Sequence, residues 1–173
     1  MTLVYNPQSK ISPHFTHREV QKSSTADRND IDNTPSTSEL MNANLVANKV
    51  IEPIRVHYGI PFSPQSWFRC EELEKRICWG SFVKWCLSKD DITPSDANWN
   101  QYFSRKSHPT GGCVDIEIPS VPNDDLFEWI RTDSGLVFDQ LIREFPKDDD
   151  PESGWVHVSY SATNNRQSSF TIG

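Results

Sequence analysis

The stretch Cys113-Val114-Asp115-Ile116-Glu117-Ile118, read together with Trp155-Val156-His157-Val158-Ser159-Tyr160, decides the fold. Both runs alternate with a period of two, the period a β-strand imposes by pointing successive side chains to opposite faces. Val114, Ile116 and Ile118 share one face and Asp115 and Glu117 the other; His157 lies opposite Val156 and Val158. Each strand therefore turns an apolar face to a core and shows an ionisable residue on the reverse. Between them, Phe138 to Phe145 predicts a third strand with Gln140, Ile142 and Glu144 on one face. Ser169 to Ile172 adds an edge strand, and Phe62 to Phe68 a short strand earlier in the chain.

Working outward, helices flank this sheet. Thr16-His17-Arg18-Glu19 and Ser36-Thr37-Ser38-Glu39 are capping boxes, in which the first and fourth side chains satisfy each other's exposed backbone N–H groups. The second opens the clearest helix, with Leu40, Ala43, Ala47, Val50, Ile51, Ile54 and Tyr58 at helical spacing. Pro53 should kink it and Gly59 end it. The polar run Ser23 to Pro35 reads as an irregular loop. Glu71 to Leu87 and Asn123 to Arg131 read as helices, and Thr93-Pro94-Ser95-Asp96 caps another short one. The fold class predicted is α+β: a small central antiparallel sheet with helices packed on one side.

The 173 residues suit one domain, 1–173, with a single core. A net charge of −7 and the lack of any Lys/Arg run exclude a nucleic-acid groove. No stretch reaches transmembrane length, so no membrane insertion is expected. Met1 to Lys10 lacks the apolar run of a signal peptide, so synthesis in a cytoplasm is expected. Thiols stay reduced there. Cys70, Cys78, Cys86 and Cys113 form no C-x-x-C pair and read as buried free thiols.

A hydrolytic zinc site takes three protein ligands and keeps one position for water. His108, Asp115 and His157 offer two imidazoles and a carboxylate, and Gly111 and Gly112 let the chain turn so that His108 folds back towards Asp115. The pattern alone leaves two readings open, because a histidine on a strand also serves as a hydrogen-bonded core or surface residue.

The run Ser107-His108 … Gly111 … Asp115, followed by Gly154-Trp155-Val156-His157, resembles the zinc D-Ala-D-Ala carboxypeptidase family, which also includes L-alanyl-D-glutamate endopeptidases of phage endolysins. Ile11 to Thr16, Ser23 to Ala26 and Ile31 to Pro35 are similar to the N-terminal part of its short phage and bacterial members, so the likeness spans nearly the whole chain. It implies a hedgehog/D-Ala-D-Ala-peptidase-like fold and one zinc ion per chain on His108, Asp115 and His157. It also implies hydrolysis of peptide bonds in peptidoglycan stem peptides. The oligomeric state is left open, with a monomer as the expectation. In that setting the protein acts on the cell wall after release, as an endolysin, or as part of a phage virion.

The resemblance gives Arg69 the substrate's carboxylate, which its planar fork can hold at two oxygens; the alternative is a surface ion pair with Glu71 or Glu72. Many relatives place the catalytic acid three positions before the last histidine, where this chain has Gly154. Glu144, ending the third strand, is the candidate general base, with Glu152 as the alternative and Gln140 as an orienting group. The acidic run of Asp148, Asp149, Asp150 and Glu152 reads as a solvated turn, with calcium binding as the alternative. The segment 82–103, holding Trp85, Trp99, Tyr102 and Phe103, is inserted relative to the short members, as a lid or rim or as a helical pair packed onto the core. His14, His17 and His57 read as capping, surface or packing residues. The competing function, favoured by Gly154, is a non-catalytic zinc-containing wall-binding or phage structural module.

Overall fold

The computed structural model describes residues 3–89 and 93–173; residues 90–92 of the inserted segment, and Met1 and Thr2, lie outside them. The chain is α+β. Four strands, β1 (Cys113–Ile116), β2 (Gln140–Glu144), β3 (Trp155–Ser159) and β4 (Ser168–Ile172), form one sheet in the order β1-β3-β2-β4. β3 pairs antiparallel with both β1 and β2, but β4 runs parallel to β2, so the sheet is mixed rather than antiparallel. The register sets Asp115 opposite His157, and His157 opposite Ile142.

The helices are α1 (His17–Gln21), α2 (Ser24–Arg28), α3 (Thr37–Val46), α4 (Glu52–Tyr58), α5 (Glu71–Leu87), α6 (Asp96–Phe103) and α7 (Asn123–Glu128). In both expected capping boxes the glutamate accepts from the cap's backbone N–H, Thr16 to Glu19 at 2.8 Å and Ser36 to Glu39 at 2.6 Å. α2 replaces the loop expected after Ser23, whose hydroxyl accepts from the Ala26 N–H and caps the turn. Between α3 and α4 the chain widens into a π turn, Ala47–Ile51, just ahead of Pro53. Proline has no N–H to continue the ladder, and the wider turn accommodates that loss without ending the helix. Gly59 ends α4 at φ 67°.

Leu40, Ala43, Val46, Val50, Ile51 and Ile54 bury against the apolar sheet face of Val114, Ile116, Leu141, Val156 and Val158. Fully burying side chains of this size is worth about 1.5–3 kcal/mol each, which makes this layer the main source of stability. α7 packs on the same sheet through β2 and β3, continuing as a π turn over Trp129–Asp133. Helices are not confined to that side, however. α5 walls a cleft on the opposite, polar face. The segment 62–68 is not a strand: Pro61 and Pro64 remove donors, and Ser66 makes a single bridge to Asp115. Among the described residues, no helix is long and apolar enough to cross a membrane.

Candidate metal centre

His108 opens a short 3-10 turn, His108–Thr110, that Gly111 closes at φ 72°. A Cβ on Gly111 would stand 2.4 Å from the Glu39 carbonyl oxygen, so only glycine lets this turn lie against the start of α3. Asn42 donates to the Thr110 carbonyl at 2.9 Å and pins the same turn. Asp115 and His157 come from adjacent strands at one register step. The three residues expected as ligands therefore meet, all buried. His108 Nε2 is 3.1 Å from Asp115 Oδ2, and His157 Nδ1 is 2.8 Å from Asp115 Oδ1.

The donor chemistry of this cluster fits a cation. His108 Nδ1 is 2.6 Å from the Trp67 carbonyl, which can only accept, so Nδ1 carries a proton. In a neutral His108 the Nε2 lone pair then faces a carboxylate oxygen, and two acceptors repel unless a proton or a metal ion lies between them. A backbone carbonyl on the far ring nitrogen is also the support that orients metal-binding histidines. The Ser107 hydroxyl stands 3.4 Å from His157 Nε2 and leaves Nδ1 facing the cluster. Burial disfavours the charged imidazoles. The opposing anions win: Asp115 pushes His108 up to about 9, and Cys113 with Asp115 raises His157 well above its ordinary value. Burial likewise raises Asp115, yet the two imidazoles hold its carboxyl far below the usual range.

Cys113 belongs to this cluster too. It was expected to be an inert buried thiol, but with His108 and His157 it forms a buried group able to hold a metal ion, their ligand atoms lying within 4.8 Å of one another. Burial opposes a thiolate, but the paired imidazoles lower Cys113 to about 6. Its position two residues before Asp115 on an alternating strand was the available signal. Asp115, Glu144 and His157 form a second group with the same spacing.

Around this floor lies a cleft of about 500 Å³ lined by Arg69, Glu74, Gln140, Glu144 and Trp155 among others. Glu144 Oε1 is 3.8 Å from His157 Nδ1, and burial raises its carboxyl above the ordinary value. Gln140 shares the cleft floor. Arg69 pairs with neither Glu71 nor Glu72. Its guanidinium donates to Asp115 Oδ2 at 2.8 Å, Ser66 Oγ at 2.8 Å and Glu74 Oε2 at 3.3 Å. Glu74, a buried acid on α5, was not foreseen. Glu152 is not brought to the site. It is exposed and lines a separate cleft with Phe62, Gln65, Glu117 and Asn123.

Among the described residues of the inserted segment, none lines this cleft. The cleft takes Ile77, Cys78 and Ser81 from before it and Arg105 to His108 from after it. Phe82, Cys86, Trp99 and Tyr102 instead form their own buried cluster between α5 and α6. Of the remaining histidines, His14 pairs with Glu52, His17 is buried, and His57 stacks on Trp129 at 3.9 Å between ring centroids.

Fold and site together define an α+β chain with a buried cluster of side chains able to hold a metal ion at the base of a cleft. Compared with known proteins, the chain matches no family model, no curated protein and no solved structure.

Proposed function

We propose that the protein is a zinc-dependent metallopeptidase that hydrolyses peptide bonds in peptidoglycan stem peptides, of D-Ala-D-Ala carboxypeptidase or L-Ala-D-Glu endopeptidase type. In this reading it serves as a phage endolysin or virion-associated lysin. The observation that carries it is the meeting of His108, Asp115 and His157, from a turn and two strands, in a cleft that also holds Glu144 and Arg69. Two imidazoles and a carboxylate are a donor set of hydrolytic zinc sites. Zinc bound there supplies Lewis-acid polarisation of a carbonyl and acidification of water.

The chain's own residues supply the rest. Glu144 takes the proton of the attacking water and returns one to the leaving amine, work suited to a carboxyl whose affinity for protons burial has raised. Arg69 commits three of its five N–H groups within the protein, leaving two for a substrate carboxylate. Gln140 orients substrate or water from the same floor.

The test is digestion of purified peptidoglycan followed by mass spectrometry, with bound zinc quantified and His157→Ala and Glu144→Ala run alongside. About one zinc per chain, with stem-peptide products that vanish in both variants, is the expected result; the product masses name the bond. Gly154 favours one second reading, a zinc-containing module that binds the wall without cutting it. Normal zinc content with no products from the wild type would establish that reading instead.

A further inference from the structure

Cys113 and Asp115 project from the same face of β1 towards the two histidines, because they are two residues apart on one strand. Cys113 Sγ and a ring nitrogen of each histidine lie within 4.8 Å of one another, and all three residues are buried. His157 is shared with the second group, Asp115 and Glu144. A hydrolytic set of two histidines and an aspartate has no need of a thiol, and a fourth protein donor would fill the place such a site keeps for water. The other free thiols have different surroundings. Cys86 sits in the aromatic cluster between α5 and α6, and Cys78 donates to Glu74 Oε1 at 3.0 Å. A structural cysteine behaves as a small hydrophobe among apolar neighbours; Cys113 faces two imidazoles instead.

We propose that Cys113 is a ligand to the bound ion together with His108 and His157. The inference rests on the zinc reading above but adds to it a ligand that hydrolysis itself does not require. A thiolate also biases the site towards zinc, cobalt and cadmium and against manganese and magnesium, whose preferred donors are oxygens.

Cobalt(II) is the probe. Full-length metal-free protein loaded with cobalt should show a thiolate-to-cobalt charge-transfer band in the near ultraviolet beside the visible ligand-field bands. Cys113→Ser and Cys113→Ala should lose the first and keep the second, with folding checked by circular dichroism. Their preference for zinc over manganese should fall on the order of 10–100-fold, at least what loss of a supporting partner costs. A variant with Cys70, Cys78 and Cys86 all changed to Ser, leaving Cys113 as the one thiol, should keep the charge-transfer band; this holds the proposal open to test if the Cys113 variants do not fold. Stoichiometric cobalt without that band in the wild type overturns the proposal while leaving the peptidase reading standing. A band that survives in the Cys113 variants, or is lost from the triple variant, overturns it as well. Failure of cobalt and zinc to bind at all sinks both.

Discussion

Gly154 stands at φ 62°, and a Cβ there would lie 1.9 Å from the Glu144 carbonyl oxygen and 2.7 Å from that of Phe145. Three positions before His157, no acid can be built without moving the end of β2, and it is the end of β2 that brings Glu144 to the cleft. The backbone that excludes a carboxylate at 154 is thus continuous with the one that offers a carboxylate at 144. Gly154→Ala should cost at least about 1–3 kcal/mol, the usual strain of a side chain in this conformation, read from urea denaturation. Gly154→Asp should lose stability likewise and gain no hydrolysis; a more active Gly154→Asp would remove Glu144 from the mechanism. The cluster itself sets how stability depends on pH. His108 and His157 are raised above 6.5, so without metal their contribution is fully present below 6.5; that of His108 is lost as pH rises through about 9, and that of His157 well above 6.5. Cys113, lowered from 9.0 to about 6, contributes fully above 9.0 and loses it as pH falls through about 6. Two imidazoles against one thiol leave a net uptake of protons on folding between these limits. Metal-free protein should therefore melt lower at about pH 8.5 than at about pH 6.5. Zinc should reverse that trend, because it binds deprotonated ligands. Melting curves with chelator and with zinc decide it, and parallel trends in the two would exclude metal from this cluster.

Among the elements, β2 is the one whose two faces do different jobs. Its cleft face carries Gln140, Ile142 and Glu144, while Leu141 and Arg143 turn towards α7. Arg143 is buried and donates to Asp124 at 2.7 Å; it also reaches the carbonyls of Glu144, Trp155 and Pro151, each at 3.4 Å. One guanidinium thus ties α7 to both ends of the loop that closes over Gly154. Arg143→Leu leaves those carbonyls short of donors, and a loss of about 1–3 kcal/mol is expected. Hydrolysis by the proposed peptidase should also drop, although Arg143 faces away from the cleft; unchanged turnover would show that Glu144 is held by other means. The strands β1 and β3 were legible in the sequence because alternation is a property of side chains, and with them came the meeting of Asp115 and His157. The parallel pairing of β4 was not legible, since its side chains are mostly exposed and its direction is fixed by backbone hydrogen bonds alone. Residues 62–68 misled for a related reason: their aromatic content suits a strand, but Pro61 and Pro64 leave too few donors for a ladder. Cys113 was passed over because a buried cysteine ordinarily needs no partner, although the period of two placed it on Asp115's face.

Across the whole molecule, two apolar clusters of unequal size divide the labour. The larger spans α1, α3, α4, α7 and the sheet, and supports both strands that carry Cys113, Asp115 and His157. The smaller lies between α5 and α6, built on Phe82, Cys86, Trp99 and Tyr102. α5 joins the cleft to the smaller cluster: Glu74, Ile77, Cys78 and Ser81 look into the cleft, and the half beyond them packs on α6. Trp99 anchors the smaller cluster. It packs edge-on against Phe82 with ring centroids 5.3 Å apart, and its indole N–H donates to Glu71 at the start of α5 at 2.8 Å. Trp99→Ala removes a buried aromatic and should destabilise that packing by about 3–5 kcal/mol. With so few buried partners, α6 and the far half of α5 should open locally without unfolding the sheet. Hydrogen exchange should therefore quicken in both helices of the pair while β1 and β3 keep their protection. Zinc content should stay at the wild-type level because no ligand moves. For the proposed peptidase, the Michaelis constant for peptidoglycan fragments should rise, since α5 loses its backing where it walls the cleft, and kcat should change less. Should the sheet lose protection together with the helical pair, the molecule is a single cooperative unit and the insertion is part of its core. A Michaelis constant unmoved by melting α6 would instead confine substrate contacts to the sheet floor and Arg69.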